Sequence, residues 1–238
     1  MENYQIITDS FALRNFIEWL PELQPHEAFY LCLFARSKYV KDTHGLPHIR
    51  SDKAQLKRFT SNKERLYDKI RQLSCPVGSY KQKDITVPQE ALALYITINP
   101  RDFIKANRNS TKKLLDLALQ PYNGFNPHQE VMSEIQKAKS RSVFVSFDFD
   151  CSKEDFTKAL WNLRKKINDE AFNVVQTRGG FHLIVEPALV AEDFNQTWYK
   201  DIKEQLRNFS SDAENAGDIM LPVPGTYQGG FTPKFFLY

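Results

Sequence analysis

The chain has 238 residues, 42% of them hydrophobic and 13% aromatic, a globular composition with room for one large core or a core with an appended lobe. Its net charge of +3 at pH 7 is too small to define a partner class, and no apolar run approaches the roughly 20 residues that span a bilayer, so no membrane partner is expected. Cys32, Cys75 and Cys151 show no C-x-x-C spacing, which excludes a zinc knuckle or a disulfide framework and fits a reducing, cytoplasmic setting.

Glu2 near the start, with no basic and then apolar run, predicts no signal peptide. Residues 1–90 read as a mainly helical, basic segment that wraps or flanks a later core. Phe11, Phe16, Ile17 and Leu20 have helical spacing that ends before Pro21. Residues 26–39, rich in Phe, Leu and Tyr, fit a helix or a buried strand equally by pattern. Residues 53–73 read as a basic amphipathic helix with Leu56, Phe59, Leu66 and Ile70 on its apolar side. Lys53, Lys57, Arg58, Lys63, Arg65, Lys69, Arg71, Lys81 and Lys83 have few acids among them. They form either a face for phosphates or an ordinary solvated helix surface.

From residue 91 the period changes. Residues 92–98 predict a buried strand halted by Asn99-Pro100. A helix capped by Asn109 or Ser110 runs to 120, a turn covers 121–127, and a polar helix reaches 139. A strand at 142–150 follows, then a helix over 153–169 and a strand over 173–177. The turn Arg178-Gly179-Gly180 leads into a strand at 181–185, with glycine expected to supply positive φ. A helix at 191–209, a polar loop at 210–217 and a short strand at 218–221 complete the order. This predicts an α+β fold, with helices on one face of a mixed, largely antiparallel sheet in a core spanning 91–238.

The chemistry concentrates in three places. Ser142-Val143-Phe144-Val145-Ser146-Phe147-Asp148-Phe149-Asp150-Cys151 is an apolar strand ending in aspartates at i and i+2, whose carboxylates share one side. Like charges that close repel unless a cation lies between them, and hard oxygen donors suit Mg²⁺ or Mn²⁺. The plainer reading has one aspartate capping the helix that Ser152 begins, with the other solvated. Thr177-Arg178-Gly179-Gly180-Phe181-His182 offers an arginine and a histidine as phosphate donors, with glycines that let a ligand approach the backbone. Asp218, with Asp212 or Glu214 as substitutes, opens the last apolar strand. Singly, each has an ordinary explanation: a core histidine, a turn aspartate, a solvated arginine. Jointly, three carboxylates and a histidine equip two-metal phosphoryl chemistry.

Phe147-Asp148-Phe149-Asp150, Gly180-Phe181-His182 and Asp218 followed by Leu221-Pro222-Val223-Pro224-Gly225-Thr226 resemble the three motifs of the archaeo-eukaryotic primase superfamily, over residues 90–238. The resemblance implies a modified RRM-like core and a template-dependent DNA or RNA primase-polymerase acting in DNA replication. It further implies that Asp148, Asp150 and Asp218 hold two divalent ions, Mg²⁺ or Mn²⁺. His182 would bind phosphates of the incoming nucleoside triphosphate, with Arg178, Thr177, Gly180 and Lys234 assisting. Single-stranded DNA is the implied template. A zinc-binding motif and a helicase domain are not visible, which leaves three expectations open: a truncated core, a bacterial, plasmid or phage enzyme working with a separate helicase, or a subunit. The competing expectations are a non-catalytic single-stranded nucleic-acid-binding module of the same fold and a haloacid-dehalogenase-like phosphatase, whose D-x-D also ends a hydrophobic strand.

Overall fold

The computed structural model describes residues 2–40, 53–82, 84–208 and 216–236. In chain order the front part holds α1 (Ser10–Trp19), β1 (Glu27–Arg36), β2 (Lys53–Ser61), α2 (Leu66–Arg71) and the short pair β3 (Lys81–Gln82) and β4 (Ile85–Thr86). Next come β5 (Leu92–Ile96), β6 (Arg101–Asp102), α3 (Phe103–Ala118) and α4 (Pro127–Lys137). Then follow β7 (Val145–Phe149), α5 (Lys153–Leu163), β8 (Phe172–Gln176), β9 (Phe181–Val185) and α6 (Trp198–Leu206). The short strands β10 (Ala216–Gly217), β11 (Leu221–Pro222) and β12 (Lys234–Phe235) complete the order. The fold is α+β. Among the described residues every pairing of named strands is antiparallel, so the expected mixed sheet is replaced by purely antiparallel ones.

The first five-stranded sheet runs β11-β5-β1-β2, with β6 also on β1. All ten residues of β1 are buried, because helices cover both of its faces. Phe29, Leu31 and Leu33 pack with Leu13 and Phe16 of α1 and with Leu66 and Ile70 of α2. Tyr30, Cys32 and Phe34 pack with Ala106 of α3 and with Met132 and Ile135 of α4. A strand buried on both faces shows no hydrophobic alternation, which is why residues 26–39 fit two readings.

The expectation of a mainly helical front part is overturned. Among the described residues its α-helices are α1 and α2 alone, and residues 53–73 hold strand β2 and only then the short α2. A β-bulge explains the misreading. Leu33 pairs with Lys57 but Phe34 pairs with Gln55, leaving Leu56 as the extra residue. Ala54, Leu56 and Phe59 all pack on the first core. The bulge thus converts a spacing of two into a helix-like spacing of three. The front residues also do more than flank a later core, since β5 pairs with β1 and the sheet draws on both sides of residue 90.

The second sheet runs β10-β7-β9-β8-β12. Its elements β7-α5-β8-β9-α6-β10 follow a split βαβ order, in which each helix crosses to a strand two places away. Phe147, Phe149, Phe181, Leu183 and Val174 pack against Phe156 and Leu160 of α5 and Ile202 of α6. The alternate residues face the other way. Of these, Val175 and Ile184 join the first sheet's core, so the two sheets share one interior.

Three helix boundaries differ from expectation, one of them through a side-chain cap. Asp102 caps α3, so Asn109 and Ser110 lie inside it, with the Ser110 hydroxyl donating back to the Ala106 carbonyl at 2.6 Å. Trp198 rather than residue 191 begins α6, and α5 stops at Leu163. The strand expected at 218–221 is instead β10 in the second sheet and β11 in the first, with Asp218 on the link between them. No helix among the described residues is long and apolar enough to cross a membrane.

Candidate active site

A cleft of about 900 Å³ opens between the sheets, and Asp148, Asp150, Thr177, Gly179, His182 and Asp218 all line it. Strand alternation explains the first of these. Phe147 and Phe149 point to the α5–α6 core, so Asp148 and Asp150 fall on the opposite face. Asp148 is the direct cross-strand partner of His182. Neither aspartate caps α5, because the Ser152 side chain performs that task by accepting from the Asp155 N–H at 3.2 Å.

His182 is buried at 4% exposure. Its Nδ1 lies 3.3 Å from the Ser146 hydroxyl and its Nε2 3.4 Å from Asp148 Oδ1. Burial lowers its pKa below the ordinary 6.5, against the pull of Asp148 and Asp150, so the ring is neutral at pH 7. The tautomer that satisfies both nitrogens accepts from Ser146 at Nδ1 and presents Nε2–H to Asp148. Asp150 is held above its ordinary 3.8 by partial desolvation and then by the Asp148 charge, with Lys38, His182 and Arg36 acting the other way. Burial, followed by the neighbouring carboxylates, pushes the Cys151 thiol up to about 11, so it is no thiolate nucleophile at neutral pH.

Asp218 is engaged elsewhere. Its Oδ2 accepts from Arg101 at 2.7 Å and its Oδ1 from the Asn99 amide at 2.9 Å. Asn99 is itself fixed, since its Oδ1 accepts from the Val143 and Phe144 N–H groups at 2.8 Å. Among the described residues no three His, Cys, Asp or Glu side chains are grouped closely enough to hold an ion. Asp148 and Asp150 nonetheless suit a hard divalent cation. They are adjacent oxygen donors of like charge in a partly desolvated cleft, where a cation relieves their repulsion. The expected third carboxylate shares the cleft but not the cluster. Asp212 and Glu214 lie outside the described residues, as do Lys83 and the side chain of Lys53.

The β8–β9 turn is built differently from expectation. Neither Gly179 nor Gly180 has positive φ. At Gly180 a Cβ would stand 2.0 Å from the Phe149 carbonyl oxygen, so the space its hydrogen leaves is filled by the protein's own backbone rather than by a ligand. Thr177 closes the turn: its N–H donates to the Gly180 carbonyl at 2.8 Å, and its hydroxyl accepts from the Gly180 N–H at 3.2 Å. Arg178 stacks on the Tyr39 ring at 4.4 Å from the centroid, and Lys234 is exposed on β12 opposite Gln176. Neither lines the cleft. Of the basic front segment, Lys63 is tied to the Leu20 carbonyl at 2.8 Å and Lys69 to the Thr60 carbonyl at 2.6 Å, so both brace the fold.

Sequence reasoning missed the first sheet's share of the cleft. Arg36, Lys38, Tyr39 and Tyr95 line it, with Arg36 donating to the Tyr95 hydroxyl at 2.6 Å. The signal was present in Arg36-Ser37-Lys38-Tyr39, polar residues ending a buried apolar run just as Asp148 and Asp150 do. No protein-family model, no curated protein and no solved structure matches this chain.

Proposed function

We propose that the chain is a template-dependent nucleotidyltransferase of the primase-polymerase kind, joining nucleoside triphosphates on single-stranded DNA with Mg²⁺ or Mn²⁺. The observation that carries this reading is the cross-strand pair of Asp148 and His182, with Asp150 two residues on, on the face of the second sheet turned away from α5 and α6. The element order and the strand order β10-β7-β9-β8 support an RRM-like core. Asp148 and Asp150 hold the divalent cation. When bound, such an ion stabilises the attacking and leaving oxygens of an in-line phosphoryl displacement. His182, neutral and fixed by Ser146, turns its Nε2–H to the cleft wall, where a phosphate oxygen would replace Asp148 as its acceptor when that carboxylate turns to a cation. Arg36 and Lys38 add positive potential where a triphosphate enters.

The antiparallel pairing counts against the haloacid-dehalogenase-like reading, which needs a parallel Rossmann-like sheet behind its D-x-D. The test is incorporation of labelled ribo- and deoxynucleotides on primed and unprimed single-stranded DNA with either metal. Wild type is expected to extend or prime, and Asp148→Ala or Asp150→Ala to abolish synthesis. Strand binding without incorporation by wild type would assign the chain to the non-catalytic module instead.

A further inference from the structure

Beyond Asp218 the cleft adjoins a second basin of about 710 Å³, and Asp218 and Met220 line both. Four basic side chains converge on it from separate elements: Arg58 of β2, Arg101 of β6, Lys113 of α3 and Lys137 of α4. Against them stand Asp218, Glu130, which pairs with Lys113, and Glu134, 3.3 Å from Lys137. Four cations face three carboxylates, so the basin keeps one positive charge in surplus. Arg101 is 3% exposed, yet its Nε has no hydrogen-bond partner among the described residues, whereas the Arg58 guanidinium, its Nε buried, has the Tyr30 hydroxyl beside it. A buried guanidinium donor without an acceptor is costly and calls for a ligand or an ion. The Arg58 fork is already set, its Nη1 donating to the Ser133 hydroxyl and its Nη2 to the Gln129 carbonyl, each at 3.0 Å.

We propose that this basin binds a phosphate oxyanion, and that it communicates with the carboxylate cleft through Arg101. Planar guanidinium forks at fixed positions suit the several acceptor oxygens of a phosphate. An oxyanion on Arg101 competes with Asp218 for the same guanidinium. Asp218 lies between the two pockets and, among the described residues, is the carboxylate that lines the cleft with Asp148 and Asp150 and would be released to them. The basin stands on its own geometry. Only the source of the phosphate, a strand's phosphodiesters or a free triphosphate tail, rests on the nucleotidyltransferase reading.

The test titrates the whole chain, without divalent cation, with labelled oligothymidylate by anisotropy and with tripolyphosphate by calorimetry. Wild type is expected to bind at least one of them; a response to the oligonucleotide assigns a strand, a response to tripolyphosphate alone a free phosphate tail. The double variant Lys113→Gln with Lys137→Gln, at positions outside the core, is expected to weaken that binding about tenfold, with wild-type melting temperature. For a strand, its log–log salt slope shrinks by about one per lysine lost. Arg58→Gln is expected to weaken binding likewise, whereas Asp148→Asn leaves it unchanged while abolishing incorporation. Wild-type affinity in both basin variants, or no binding of either probe by wild type, overturns the proposal. Loss of incorporation alone bears on the cleft and not on the basin.

Discussion

Gly180 and its neighbour Gly179 separate packing from chemistry at the level of single atoms. A methyl group at 180 meets the Phe149 carbonyl at 2.0 Å, and that atom belongs to the backbone between the two aspartates, at the end of β7. It cannot rotate away. Gly180→Ala is therefore expected to lose about 2–4 kcal/mol in denaturant unfolding and to displace Asp148 from His182. At Gly179 the nearest atom to an added Cβ is Asp150 Oδ1 at 3.5 Å, an ordinary contact with ordinary φ. Gly179→Ala should stay within about 0.5–1 kcal/mol of wild type. Equal losses at the two positions would contradict the packing described here.

Between elements, the ion pair of Glu27 and Arg141 fastens the start of β1 to the segment leading into β7. Arg141 Nε donates to Glu27 Oε1 at 3.1 Å, and the Glu27 side chain is fully buried. Burial pushes the Glu27 carboxyl up, but the Arg141 guanidinium, the Gln24 N–H and Ser140 together outweigh it and hold the pKa below the ordinary 4.5. The sign follows from linkage. With a depressed folded value, the stability Glu27 contributes is present above pH 4.5 and is lost as pH falls through its lower folded value. Arg141→Gln strands a buried carboxylate, and because the arginine is 41% exposed the cost is discounted to about 1–3 kcal/mol at pH 7. Urea unfolding across the acid range should show the gap between variant and wild type narrowing below pH 4.5. A gap independent of pH would contradict the assignment.

Legibility also differed by element. In β7 one face meets helices and the other a cleft, so a period of two survives in the sequence and places Asp148 on a strand, whereas β9 is buried throughout and is marked only by its apolar run after the glycine turn. β1 is covered on both faces and leaves no period, while the bulge in β2 counterfeits a helical one. Caps such as Asp102 depend on a side chain finding backbone N–H groups, which spacing alone did not separate from Asn109 or Ser110.

Over the whole molecule, the cleft is made by two sheets that meet through shared core residues and through the Asp218 link. Asp148 of β7 and Asp150 just past its end line the cleft together because they belong to one short segment of sequence. The partners of Asp218 were not legible, since Asn99 and Arg101 approach it from 119 and 117 residues away. Arg36 and Lys38 reach the cleft only because β1 is the strand on which the first sheet is built.

The claim on which the rest depends is that Asp148 and Asp150 bind a divalent cation in that cleft. Electron paramagnetic resonance of Mn²⁺ titrated into the full chain measures this without relying on turnover. Saturable binding is expected in wild type, tightened by a nucleoside triphosphate, and weakened about tenfold or more in the Asp148→Asn, Asp150→Asn double variant. Superimposable titrations of wild type and double variant would contradict it.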